Sequence, residues 1–418
     1  MSEALDLNET ALTDPWSVPL EDLDPSQPIV FQTNAQFPIF ERLRSEDPIH
    51  FHESGLFGPY WSITKFNDIM AIDKDHARFS SESGITLTER QSDFTTPNFI
   101  SMDPPKHDVQ RKAVTGVVAP MNLAKMEPLI RERVCNILDS LPVGTSFNWV
   151  DKVSIELTTQ MLATLFDFPF EDRRKLTYWS DMATSGELAG GPTPESARRA
   201  ALLECLETFQ GLWAEREGKV SEGALDLVTM LANSPDTQDM DPMEYLGNLI
   251  LLIVGGNDTT RNSITGGVLF LNENPKEYDK LRANPDLVAN MIPEIIRYQT
   301  PLTYMRRTAL EDVEIGGKVI KKGDKLAMWY VSGNRDDEVI ERPDEFIIDR
   351  KNPRHHLSFG FGIHRCMGNR LAEMQLRVLW EEILKRFSMV EVVGEPERVQ
   401  SSFVRGYATL PVVLHPPV

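Results

Sequence analysis

Cys366 stands in Phe359-Gly360-Phe361-Gly362-Ile363-His364-Arg365-Cys366-Met367-Gly368, a glycine-rich loop with one thiol. Leu371, Met374, Val378, Leu379 and Ile383 follow at helical spacing, so the loop ends where a helix begins. A helix N-terminus is electropositive and stabilises a thiolate. Glycines let backbone N–H groups come close to a sulfur, where Cβ atoms would obstruct. Phe359, seven residues upstream, can cover that sulfur and keep water away. A zinc site would need a CxxC or HxxxH partner, and none lies nearby. A lone shielded thiolate instead suits a metal with one protein ligand.

A second cluster, Gly255-Gly256-Asn257-Asp258-Thr259-Thr260, sits inside a long apolar helix pattern. Asp241-Pro242-Met243-Glu244 starts that helix with a capping carboxylate, a proline at the first position and a glutamate at the third. The pattern runs through Leu246 and Leu249 to Val254 and should end at Asn274-Pro275. Each mid-helix glycine costs about 1 kcal/mol relative to alanine. Two in a row make sense where something lies flat on the backbone. Thr259 is one turn from Gly255, so its hydroxyl can bond that carbonyl and open a small groove. A groove beside a hydroxyl and a carboxylate suits proton delivery in a site otherwise kept dry. A thiolate with such a cluster is the equipment of an oxygen-activating haem.

These two segments carry a family resemblance. The loop fits F-G-x-G-x-H-x-C-x-G and the helix fits A/G-G-x-D/E-T-T/S, both patterns of the cytochrome P-450 family, which the chain resembles throughout except for its tail. The resemblance implies a mainly α (α+β) fold: a large helical bundle with a small β-rich lobe. It implies haem b (iron protoporphyrin IX) with Cys366 as iron ligand. By the same match Thr259 positions a proton-delivering water and Asp258 relays protons from solvent. His107 and Arg111, four apart after Asp103-Pro104-Pro105, match a propionate-binding pair; Arg307 and His364 are further propionate candidates, with Arg306 competing for the role of Arg307. Glu294 and Arg297 match a structural E-x-x-R brace. Its third member is left open among Arg335, Arg342 and Arg350, and Pro293 should disturb the helix that carries the pair.

The pocket follows from positions near these motifs. Leu251, Val254 and Gly255 lie beside Thr259; Leu302 and Met305 follow Pro301; Phe403 belongs to a C-terminal turn; Ile85, Leu87, Phe99, Ile100 and Met102 come from an irregular stretch. Together they predict an apolar cavity with few polar anchors. Leu251 to Ser263, Pro301 to Arg307 and the cysteine loop resemble the bacterial members that hydroxylate medium-chain alkanes at the terminal carbon. The expected reaction is therefore insertion of one oxygen atom from O2 into an unactivated C–H bond of an apolar small molecule. Fatty acids, or a terpenoid or steroid, are the alternative substrates. A peroxide-driven hydroxylase is disfavoured by the Asp258-Thr259 pair. A haem-based sensor without turnover is disfavoured by the want of an output module.

The elements that must position these groups are legible too. Ile49–Phe51 and Tyr60–Ile63 read as strands, residues 84–98 as irregular, and Pro105 to about Leu281 as long helices broken near Gly186–Pro194 and Ser234–Asp241. Short strands return over Val313–Met328, with turns at Gly316-Gly317 and Lys322-Gly323. No linker or repeat divides the chain, so residues 1–15 are expected as a flexible tail and 16–418 as one domain. The net charge of -20 disfavours nucleic acid and anionic membranes. Three cysteines make no disulfide framework, and no apolar anchor segment is present, so a cytoplasmic location is expected. Without a flavin-binding or iron–sulfur segment, electrons must come from a separate ferredoxin and ferredoxin reductase, for which Arg365, Arg370 and Arg377 offer a docking face.

Overall fold

The computed structural model describes residues 12–219 and 226–417. Its helices surround α5, Pro242–Glu273, whose 32 residues span about 48 Å. The start signal works as expected at the cap: Asp241 accepts from the Met243 N–H at 2.9 Å, with Pro242 at the first position. Glu244 does not close a capping box; it binds Lys106 at 2.7 Å and Gln110 instead. The helix ends at Asn274, as the following Pro275 requires. Nearly every residue from Asn262 to Leu271 is buried, so this half of α5 is an axle of the main hydrophobic core.

The helices that reach the site are α1 (Phe66–Lys74), α2 (Lys106–Thr115), α3 (Ile155–Phe166), α4 (Arg174–Thr184), α6 (Val288–Gln299) and α7 (Asn369–Arg386). Pro293 does not break α6, which continues to Gln299 despite the lost N–H. It ends where Thr300 takes a left-handed conformation, φ 42°, and its hydroxyl donates to the Arg297 carbonyl at 2.7 Å.

The β lobe is a five-stranded sheet of order β1-β2-β5-β4-β3, formed by Ile49–His52, Tyr60–Ile63, Phe79–Ser80, Met305–Ala309 and Lys325–Met328 as β1 to β5. Only the β2–β5 pair is parallel. The Val313–Ile315 and Lys318–Ile320 hairpin turns through Gly316 and Gly317, both at positive φ. Residues 84–98 form neither helix nor strand, as expected. Of the expected tail, residues 1–11 lie outside the described residues; Pro15 is not loose, being buried with its carbonyl bonded to Arg42.

Candidate active site

The cysteine loop is locked from the side of α1. Asp73, near the end of that helix, accepts from the Phe361 N–H at 2.7 Å, the Tyr330 hydroxyl at 2.9 Å and Arg307 Nη2 at 2.6 Å. Gly360 and Gly362 both have positive φ, and a Cβ on Gly362 would collide with the Asp73 carbonyl. Glycine is therefore required by conformation and by close approach together. The Cys366 N–H then donates to the Phe359 carbonyl at 2.8 Å, closing the loop.

Cys366 lies deep in the molecule yet is accessible, because it borders a cavity of about 490 Å³. Burial pushes its thiol pKa up, against N–H groups of Gly368 and Asn369 and the charges of Arg111 and Arg365. A bound metal reverses that balance, since a coordinating thiol is deprotonated outright.

Gly255 and Thr259 line the same cavity. A Cβ on Gly255 would meet nothing within 4 Å, so this backbone is open to the cavity. The Thr259 hydroxyl donates to the Gly255 carbonyl at 2.8 Å, the bond its spacing suggested, and α5 stays continuous across it. Asp258 does not share that wall. It is fully buried behind it, where Oδ1 accepts from Arg261 Nη2 at 2.8 Å and Asn257 Nδ2 at 3.1 Å, while Oδ2 is unpartnered. Arg261 reaches on to Asp181 of α4 at 2.9 Å, and Asp181 is half exposed. The hydroxyl and the carboxylate are thus on different sides of the helix, with the carboxylate linked outward. Burial raises the Asp258 carboxyl to about 6, against Arg261 and with help from Asp181.

The basic set divides in the same way. Arg111, Arg307 and His364 line the cavity. Arg306 does not: successive residues of β4 point to opposite faces, and it turns to Glu89. His107 lies behind the wall, its ring edge-on to His364 with centroids 4.5 Å apart. Burial first, then Arg307, depresses the His364 pKa to about 2. His107 Nε2 and His364 Nδ1 are buried without a partner.

Of the expected pocket residues, Leu251, Val254, Leu302, Met305, Phe403, Ile85, Phe99 and Ile100 line the cavity, as does Phe359. Leu87 and Met102 do not. Leu87 packs into the core of Tyr304 and Trp329, its N–H donating to the Tyr304 hydroxyl at 3.0 Å, and Met102 packs into the main core. An irregular segment has no periodicity, so which of its side chains turn inward cannot be read from spacing.

The brace is complete and its third member is Arg350. Arg297 binds Glu294 through two nitrogens at 2.8 Å each, and Arg350 Nε binds the same carboxylate at 3.0 Å. Arg297 also donates to the carbonyls of Asn334 and Pro343. Arg342 pairs with Glu345 at the surface, and Arg335 stacks over Tyr298 at 3.9 Å. Asn334 completes the connection, accepting from the Leu357 N–H at 2.7 Å. Asp73 and Asn334 were not singled out from the sequence, where nothing marks one buried polar residue among many surface ones.

The donor set fits an iron porphyrin. One thiol, two orphaned buried imidazole nitrogens and two guanidinium groups meet around one largely apolar cavity. Among the described residues no group of three His, Cys, Asp or Glu side chains could hold a bare metal ion. Also among them, no helix is long and apolar enough to cross a membrane.

The family model for Cytochrome P450 matches residues 197–411. The linalool 8-monooxygenase of Pseudomonas putida is 33% identical over 411 residues, 95% of this chain and 100% of its own. Cytochrome P450-153 from Novosphingobium aromaticivorans superposes with a TM-score of 0.88 at 43% identity, covering 94% of this chain and 99% of that one. CYP153D17 from Sphingomonas sp. PAMC 26605 gives 0.88 at 48% identity, with 93% and 98% covered.

Proposed function

The chain belongs to the cytochrome P450 family and is a haem monooxygenase, and from that premise we propose that it hydroxylates the terminal carbon of medium-chain n-alkanes or similar apolar chains. One observation carries the reading: Cys366, the Gly255–Thr259 pair and the apolar side chains Leu251, Val254, Leu302, Met305 and Phe403 share a single cavity. When bound, haem b supplies the activation of O2 and the attack on C–H.

The chain's own residues do the rest. Cys366 holds the iron. Arg111, Arg307 and His364, with His107 behind, hold the propionates. Thr259 holds a water at its hydroxyl for proton transfer, and Asp258, raised to about 6 by burial, is the group behind that wall able to take up and release a proton, while Arg261 holds it in place against Asp181. The apolar wall keeps other water out, so that reducing equivalents are not lost as hydrogen peroxide. A terminal C–H bond is stronger than its neighbour, so selectivity requires a wall that presents only the chain end. Electrons come from a separate ferredoxin and its reductase in the cytoplasm, and residues 16–418 act as one catalytic domain.

The test is turnover of decane with a bacterial ferredoxin and reductase, followed by gas chromatography. The expected product is 1-decanol. Predominant 2-decanol, or binding of decane without product, would overturn the terminal assignment. A terpenoid alcohol is the second reading, favoured by the linalool 8-monooxygenase relative; conversion of linalool in preference to decane would establish it.

A further inference from the structure

A second cavity, of about 310 Å³, lies at the C-terminal ends of α5 and α6 and shares no lining residue with the first. Arg335, Arg398 and Arg405 all line it, on a protein whose net charge is -20. Aromatic rings hold them. Arg335 lies over Tyr298 at 3.9 Å and over Phe37 at 4.5 Å, Arg405 over Phe37 at 5.1 Å, and Arg398 over Tyr407 at 5.8 Å. A guanidinium held by its face keeps its N–H edge for hydrogen bonds.

Two carboxylates share this wall, and they do not balance the three cations. Asp344, mostly exposed, is committed to Arg335 at 3.1 Å. Glu273, exposed at the end of α5, feels the charges of Arg398 and Arg405 but is in ion-pair contact with neither. Arg405 is buried, and its partners are neutral: the carbonyls of Tyr298 and Gln299 at 3.0 and 2.7 Å and Asn34 Oδ1 at 3.2 Å, with Nε unpartnered. Burial first, then the like charges of Arg335 and Arg398, push its pKa down to about 10. Arg398 is half-buried and, among the described residues, has neither an ion pair nor a hydrogen bond for its side chain. A buried cation left without a counter-ion is costly, and an anion from solution supplies one.

We propose that this second cavity binds an inorganic phosphate ion, with Arg398 as its direct cationic ligand, Arg405 as the buried charge behind it, and Glu273 accepting a hydrogen bond from a phosphate hydroxyl. A guanidinium edge matches two phosphate oxygens. The carboxylate sets the choice of anion. An ionised carboxylate only accepts hydrogen bonds. Phosphate at neutral pH carries at least one O–H to donate; sulfate carries none and is repelled. The site is remote from Cys366 and independent of what the first cavity oxidises.

Calorimetric titration of the haem-loaded protein with phosphate, sulfate and phenyl phosphate at neutral pH and constant ionic strength tests it. Phosphate should bind at one site per chain and more tightly than either of the others. Arg398→Gln should weaken phosphate binding roughly tenfold. Glu273→Gln should raise sulfate affinity toward that of phosphate. The haem absorption spectrum of each variant is the folding control, and its titration with decane should be unchanged. No phosphate binding by the unaltered protein, or binding that Arg398→Gln leaves intact, would overturn the site. Sulfate or phenyl phosphate binding as tightly as phosphate in the unaltered protein would overturn the role of Glu273 and the assignment to the free ion.

Discussion

The long helix α5 carries two glycine pairs, Gly255-Gly256 and Gly266-Gly267, eleven positions or about three turns apart and therefore on nearly the same face. Their surroundings are opposite. At Gly255 an added methyl would meet open cavity, while at Gly256 it would stand 2.7 Å from Leu162 of α3. At Gly266 it would run into Gln299 of α6, and at Gly267 it would stand 2.8 Å from Ile295. Gln299 has little freedom to yield, because it donates to the Arg405 carbonyl at 2.8 Å and accepts from the Tyr407 hydroxyl at 2.9 Å. Gly255 keeps backbone bare for a ligand, with Gly256 fitted against α3 behind it; Gly266 and Gly267 let two helices touch. The same residue type at the same helical phase thus serves chemistry in one half of α5 and packing in the other.

Substitutions in the two halves should separate activity from stability. The largest effect is expected from Asp258→Asn in the chemical half: turnover falls about 100-fold, while substrate titration changes little. Its stability difference from the unaltered protein also has a pH signature. The Asp258 carboxyl is raised from an unfolded value of about 3.9 to about 6, so its favourable contribution is present below about pH 4 and is lost as pH rises through 6. The stability gap should therefore shift in favour of the Asn variant between about pH 4 and 6, as read by denaturant melts across that range. A gap independent of pH would show that Asp258 is not the titrating group.

Gly266→Ala comes next. The displaced Gln299 costs about 1–3 kcal/mol by overpacking, against a helix-propensity gain of about 1 kcal/mol. The midpoint of denaturation should fall, with substrate affinity unaltered. An altered affinity at equal stability would break the division between the halves. The smallest expected change is that of Gly255→Ala. It should gain up to about 1 kcal/mol in stability while the new methyl takes cavity space and weakens decane binding severalfold. A loss of stability there would mean that the open wall is closed by a neighbour.

The reading of α5 from its sequence shows what spacing can and cannot supply. Both ends were legible, because a capping aspartate, a first-position proline and a terminal Asn-Pro act within one turn of chain. The strand at Tyr60–Ile63 and the Gly316-Gly317 turn were legible for the same local reason. Motif brings Thr259 and Cys366 to one cavity, but it does not tell that Asp258 stands behind the wall rather than on it. Neighbouring residues on a helix point about 100° apart, which separates a wall residue from a core residue. Arg350 was indistinguishable from Arg335 and Arg342 until the chain folded back on Glu294. Leu87 and Met102 belong to the irregular stretch near the motifs, where position and apolar type do not tell cavity wall from core. The purpose of Gly266 depends on Gln299, 33 positions away in sequence, and no local pattern carries that information.

The brace has one further consequence. Glu294, Arg297, Arg350 and Asn334 bind one another and backbone carbonyls or amides leading to the cysteine loop, and none of these four side chains lines the cavity. On the side of the brace, the seat of the thiolate and the lining of the cavity are therefore built from separate parts. Variation in the lining can change what is oxidised without disturbing how the iron is held, so a library confined to positions such as Ile85, Leu251 and Leu302 should stay competent to load its cofactor while its substrate range moves.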